Sequence, residues 1–232
     1  MINRIPKILL LGADSEIGFQ LYKLLMKKNF CVFASSKKKK KKFFNLNYNK
    51  LDNFKNFAKK KFKNVKFNYI IFLAAITNSS QQIDNKKCTF GNINYANFRK
   101  ILKINCFSPI KIFEILHKNH SIDNKAKIIF FSSLAGSIEN RGKLRHNKPF
   151  GNMIYRISKA ALNCAVKNLS YDFSKKYTII SLHPGFVKTK RVGSGADLNI
   201  KYASSKIFKT IFYLRNENSG NFLNYNGRLI KW

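Results

Sequence analysis

Four consecutive apolar residues, Ile8-Leu9-Leu10-Leu11, run straight into Gly12-Ala13-Asp14-Ser15-Glu16-Ile17-Gly18, after which Leu21, Leu24 and Leu25 recur at helical spacing. No other feature restricts the fold as much. An uninterrupted apolar run needs burial on both faces, which a strand inside a parallel sheet provides. A strand, a Gly-bearing turn and a helix N-terminus together form a cradle for an anion. Backbone N–H groups and the helix dipole favour negative charge there, and glycine lets a phosphate approach the backbone. Gly12, Ser15, Glu16, Ile17 and Gly18 are therefore candidate phosphate-side residues. The two glycines enclose five residues, with Glu16 where a middle glycine would complete the motif. An ordinary tight turn is the alternative reading.

The pattern then repeats. Further strands are expected at residues 30–34, 43–46, 69–75, 127–131 and 178–182, with a short one near 221–223. Helices are expected at 51–62, at 95–117 with a bend at Pro109, up to about 173 around Tyr155, and at 200–214. Residues 77–94 read as a polar surface loop. Such alternation argues for an α/β fold, a parallel sheet with helices on both faces, in one domain spanning 1–232.

The second strand ends in Ser35, Ser36 and six lysines, Lys37 to Lys42. In a dinucleotide fold this strand end meets the adenosine ribose, where an acid pairs with the 2′-OH and a cation accommodates a 2′-phosphate. Lys37 therefore favours NADP(H) over NAD(H). A solvated lysine loop is the plainer alternative.

The net charge of +35, from 45 basic and 10 acidic side chains, invites a nucleic-acid or anionic-membrane reading. Yet the lysines are spread along the chain beside abundant Asn, Ile and Phe, a bias of the kind A/T-rich codons produce. No basic stripe carries interleaved aromatics for base stacking. The longest apolar stretch falls far short of the ~20 residues of a membrane span, and no secretory leader is recognisable. Cys31, Cys88, Cys106 and Cys164 form no CxxC pair, and no His/Cys cluster has metal-ligand spacing, so no metal site is expected. A soluble cytoplasmic protein is the expectation.

Tyr155-Arg156-Ile157-Ser158-Lys159 carries the chemistry. Residues four apart share a helix face, so the Lys159 ammonium would stand beside the Tyr155 phenol and favour its phenolate. That is one way to draw a phenol from its ordinary value of about 10 into the range where it works as an acid/base. A solvated helix face is the bland alternative. The company of the pair changes the balance.

In order along the chain, the Gly12–Gly18 turn, Asn105, Ser133, Tyr155, Lys159 and the run Pro184-Gly185-Phe186-Val187-Lys188-Thr189 resemble the short-chain dehydrogenase/reductase family. Ser158-Lys159-Ala160-Ala161-Leu162-Asn163, Leu182-His183-Pro184-Gly185 and the ending from Ser219 to Trp232 are similar to its C-factor-like and sniffer-type carbonyl reductase branch. The resemblance implies a doubly wound (Rossmann-type) domain with a central parallel sheet of about seven strands. It also implies an oxidoreductase that interconverts a carbonyl and an alcohol by hydride transfer. Tyr155 would be the general acid/base, Lys159 its electrostatic partner and ligand of the nicotinamide ribose, and Ser133 the group that polarises the carbonyl. Asn105 would hold a water that links Lys159 to solvent. Pro184, Gly185, Val187 and Thr189 would flank the nicotinamide, and Asn47 would meet the adenine. A homodimer or homotetramer is implied as well.

Some residues depart from the family pattern. Phe72-Leu73-Ala74-Ala75 replaces the usual Asn-Asn-Ala-Gly, removing polar braces and placing Ala74 and Ala75 beside the cofactor's ribose. Asn47 replaces an Asp. Ser133 and Tyr155 are 22 residues apart, and the loop between them, with Arg141, Arg145 and His146, is expected over the site. Other readings remain: a nucleotide-sugar-modifying relative, a cofactor-binding or signalling protein with little turnover, and a charge-driven nucleic-acid binder.

Overall fold

The computed structural model describes residues 5–38, 40–77, 90–143, 152–190, 192 and 195–232. Strand β1 (Lys7–Leu11) is the apolar run at the start, and Ile8, Leu9, Leu10 and Leu11 are all fully buried. It lies between β2 (Cys31–Ser36) and β4 (Phe67–Phe72), with β3 (Phe44–Asn45) at one edge. On the other side follow β5 (Ile122–Phe131), β6 (Thr178–His183) and β7 (Phe222–Asn224). The seven strands form one parallel sheet in the order β3-β2-β1-β4-β5-β6-β7. The order reverses between β1 and β4, and at such a switch point an open α/β sheet leaves a crevice outside the carboxyl ends of its strands.

Both faces are covered, as the apolar strand runs require. Helices α1 (Glu16–Lys27) and α6 (Ile200–Phe212) pack one face through Leu21, Leu25, Ile207 and Ile211. Helices α2 (Phe54–Lys61), α4 (Ser108–Lys118) and α5 (Met153–Asp172) cover the other. There Phe72 stacks on Phe130 with ring centroids 4.5 Å apart. Where the resemblance implied polar braces at the end of β4, this chain joins β4 to β5 by apolar ring contact.

Several expected boundaries shift, three of them with a structural consequence. β5 begins at Ile122 rather than at 127, because a register irregularity between Phe67 and Tyr69 lets a second segment pair with β4. β4 ends at Phe72 rather than 75, and Leu73 to Ala75 continue as the wall of the crevice. The irregularity expected at Pro109 falls one turn upstream. Helix α3 (Tyr95–Leu102) passes through a π-helical turn, Lys103–Phe107, in which the Ser108 N–H donates to the Lys103 carbonyl. Pro109 has no N–H to offer the carbonyl four residues back, so the ladder changes before it, and Pro109 stands in the tolerant first turn of α4. Residues 78–89 of the expected surface loop lie outside the described residues.

Candidate active site

At the carboxyl ends of the strands, two cavities of about 650 and 350 Å³ meet at Asp14, Ser15, Leu73 and Ala75 to form one crevice. The larger is walled by Ser15, Glu16, Ile17, Ala75, Ser133, Tyr155, Lys159, Pro184, Gly185, Val187 and Thr189. The smaller adds Gly12, Lys37, Asn47 and Ala74. Residues scattered over most of the chain thus converge on one surface. A concavity of about 850 Å³ between α2 and α4, lined by Leu51, Leu102, Phe107 and Ile110, holds none of them.

The first wall is the N-terminus of α1. Ser15 caps it, its Oγ accepting the Gly18 N–H at 3.0 Å. Glu16 and Ile17 open the helix, and the helix itself offers their N–H groups no acceptor. Gly18 does not line the crevice. It is buried under the turn, where a Cβ would come within 2.3 Å of the Gly12 carbonyl oxygen, so this glycine seats the helix on the turn.

The second wall is α5, which opens at Asn152 in the left-handed region, φ 58°. Tyr155 is half-buried. One turn on, Lys159 is only 2 % exposed, and its Nζ donates to the Phe131 carbonyl at 2.7 Å at the end of β5. Ser133 follows that strand and begins a short 3-10 turn, Leu134–Gly136. Its Oγ accepts the Ala135 N–H at 3.2 Å, which leaves the hydroxyl hydrogen to donate elsewhere.

Asn105 stands apart. It is 1 % exposed, lies in the π-helical turn and does not reach the crevice. Its Nδ2 donates to the Ile76 carbonyl at 2.9 Å and to Ser158 Oγ at 3.0 Å, and its Oδ1 accepts the Ile76 N–H at 2.8 Å. Ser158 Oγ in turn donates to the Tyr155 carbonyl at 2.8 Å. Asn105 thus braces the extension of β4 against the helix that carries Tyr155 and Lys159.

Among the residues of this surface that sequence reasoning passed over, three stand out. Asp14 borders both cavities, and its carboxylate accepts the Lys37 N–H at 3.3 Å, an acid at the end where Lys37 had suggested only positive charge. Tyr48 lines the smaller cavity with an enclosed hydroxyl whose pKa rises through burial and, secondarily, the charge of Asp14. His183, the last residue of β6, edges the larger cavity while its Nδ1 is enclosed. Burial lowers its pKa to about 4, so the ring is neutral near pH 7. The clue to His183 was its place immediately before Pro184-Gly185. Arg145 and His146 lie outside the described residues. Among the described residues no group of three or more candidate metal ligands occurs.

The strand order and the crevice at its switch point define an open, doubly wound α/β protein. Residues 6–199 match the family model for short chain dehydrogenase, and the chain belongs to that family. It is 30% identical over 146 residues to the C-signal of Myxococcus xanthus, a match covering 62% of this chain and 84% of that protein. It is 29% identical over 147 residues to 1-hydroxy-2-glutathionyl-2-methyl-3-butene dehydrogenase of Rhodococcus sp., covering 61% of this chain and 62% of the relative. The fold is that of the carbonyl reductase Sniffer of D. melanogaster, with TM-score 0.81, 24% identity and coverage of 99% of this chain and 100% of the other. An NADPH-bound carbonyl reductase from chicken fatty liver aligns with TM-score 0.82, 23% identity and the same coverage. Among the described residues no helix is long and apolar enough to cross a membrane.

Proposed function

We propose that this chain is a nicotinamide-dependent oxidoreductase that interconverts a carbonyl and an alcohol on a small molecule, preferring NADP(H) to NAD(H). One observation carries the reading: a single crevice joins the α1 N-terminus to Tyr155, Lys159 and Ser133. The residues present suit the cofactor. The first-turn N–H groups of Glu16 and Ile17 suit a diphosphate. Small side chains at Ala74 and Ala75 leave room for a ribose, and Asn47 stands at the adenosine end with an amide to offer. Lys37 and Lys38, both exposed, set two positive charges against Asp14 there, which favours a 2′-phosphate. Pro184, Gly185, Val187 and Thr189 form the wall for the nicotinamide. When bound, the cofactor supplies or accepts the hydride.

The chain's own groups manage the proton and the charge. In reduction the Tyr155 hydroxyl donates its proton to the carbonyl oxygen, and in oxidation the phenolate removes the hydroxyl proton. Lys159, held in place by the Phe131 carbonyl, offsets the negative charge that develops on the phenol oxygen. Ser133 directs its hydroxyl hydrogen at the same substrate oxygen and stabilises charge building there. Asn105 keeps Ile76 and α5 in register so that the two walls face each other. Proteins of this fold solved with NADPH, as in the chicken enzyme, or with NADP, together with the family match, support the assignment.

The test is titration with NADPH and NADH at fixed salt, with ATP as the control for nonspecific attraction of polyphosphate to a +35 chain. NADPH should bind at least about tenfold more tightly than either. With a carbonyl substrate found by screening, Tyr155→Phe should keep that affinity and lose at least about a hundredfold in turnover. Binding no stronger than that of ATP, or full turnover by Tyr155→Phe, would sink the proposal.

A further inference from the structure

Glu16 occupies the position where a middle glycine would have completed the phosphate-binding turn, and the structure gives its carboxylate a definite partner. The Lys190 backbone N–H donates to Glu16 Oε1 at 2.8 Å and to Oε2 at 3.2 Å. Both residues are exposed, 174 positions apart in the chain, and both border the larger cavity. Glu16 belongs to the α1 wall, whereas Lys190 ends the segment that begins at Pro184. Their contact spans the mouth of the crevice from one wall to the other.

We infer that Glu16 is a strap: its carboxylate ties the nicotinamide-side wall, residues 184–190, to the diphosphate-side wall at the start of α1, and it controls how fast a dinucleotide leaves. The inference rests on the cofactor reading above for its kinetic part, though not for the strap itself. A carboxylate accepting a backbone N–H is a charge-assisted hydrogen bond, stronger than its neutral counterpart. Its position on the first residue of α1 is favourable to the helix dipole. The same position sets a negative charge where an incoming diphosphate would bind. Glu16 therefore has two opposed effects. Its charge slows the arrival of the dinucleotide, and its hydrogen bonds to Lys190 slow departure by keeping the far wall in place.

Two substitutions separate these effects. Glu16→Gln removes the charge and keeps a carbonyl oxygen for Lys190, whereas Glu16→Ala removes both. The first measurement is amide exchange at Lys190 in the cofactor-free protein, with the Phe19 amide inside α1 as internal control. Glu16→Ala should speed exchange at Lys190 about tenfold and leave Phe19 unchanged, and Glu16→Gln should stay within about threefold of the parent. The second is stopped-flow binding of NADPH. Both variants should bind faster than the parent, and only Glu16→Ala should release faster, by about tenfold. Unchanged exchange at Lys190 in Glu16→Ala would overturn the strap even if the parent bound no cofactor. Equal release rates in the two variants would show that Glu16 acts through its charge alone, which overturns the kinetic role. A parent that binds NADPH and NADH no better than ATP would remove the cofactor reading, with the exchange result still deciding the strap.

Discussion

Replacing Asn105 by alanine tests how the two walls of the crevice are held together. The amide makes three hydrogen bonds of 2.8 to 3.0 Å, two to the Ile76 backbone and one to Ser158 Oγ. The substitution orphans the Ile76 N–H and C=O together. Each unpaired buried polar group costs about 1–3 kcal/mol. Ile76 is half-buried, so water can partly compensate, and about 1 kcal/mol for each of its two groups is the appropriate end of that range. Ser158 loses less, because its hydroxyl still donates to the Tyr155 carbonyl. Truncating a 1 %-exposed side chain adds about 1 kcal/mol from lost packing. The expected loss is therefore about 3 kcal/mol, or roughly 6–12 °C in Tm for a chain of this size. Urea unfolding measures the first quantity, and amide exchange at Ile76 should show the damage locally. A loss below about 0.5 kcal/mol, with the Ile76 amide as protected as before, would refute the brace and leave Asn105 a passive buried amide.

Two further perturbations bear on the site. His183 has its pKa lowered by burial from 6.5 to about 4, so the unfolded chain takes up its proton first as pH falls. The stability that this ring contributes is complete above pH 6.5, declines below it and is lost by about pH 4. That amounts to about 3 kcal/mol, and His183→Phe should flatten the slope of stability against pH in this window, read from urea midpoints at a series of pH values. An unchanged slope would mean that the ring protonates freely in the folded protein. Gly185→Ala should destabilise by about 1–3 kcal/mol, since Gly185 has φ 84° and a Cβ there would come within 2.4 Å of Leu198 Cδ1. Thermal unfolding indistinguishable from the parent would show that the turn adapts at no cost.

Much of this was legible in local pattern. The apolar run 8–11 needed two covered faces, and it is the fully buried strand β1. Nearly all the side chains expected around a cofactor line one crevice, because strand ends and helix starts in this architecture fall on the same side of the sheet. Other features were not legible, because they depend on pairings between distant segments. Phe72 in place of an asparagine looked like a lost brace, yet it stacks on Phe130 of the neighbouring strand. Asn105 was placed near the chemistry, but its partners Ile76 and Ser158 are 29 and 53 residues away, so its bracing role was invisible along the chain. Asp14 was passed over because nothing near it in sequence shows that it meets the Lys37 backbone.

Taken alone, then, the amino-acid sequence determined the alternation of strand and helix, the anion-favouring turn after β1 and the shared face of Tyr155 and Lys159. These follow from backbone periodicity and from steric rules that act within a few residues. Only the tertiary structure decided which polar groups become braces, which charge meets which, and that Glu16 reaches Lys190. Those outcomes depend on the distances between chain segments once two hydrophobic faces have been buried against one sheet, and one-dimensional spacing does not encode such distances.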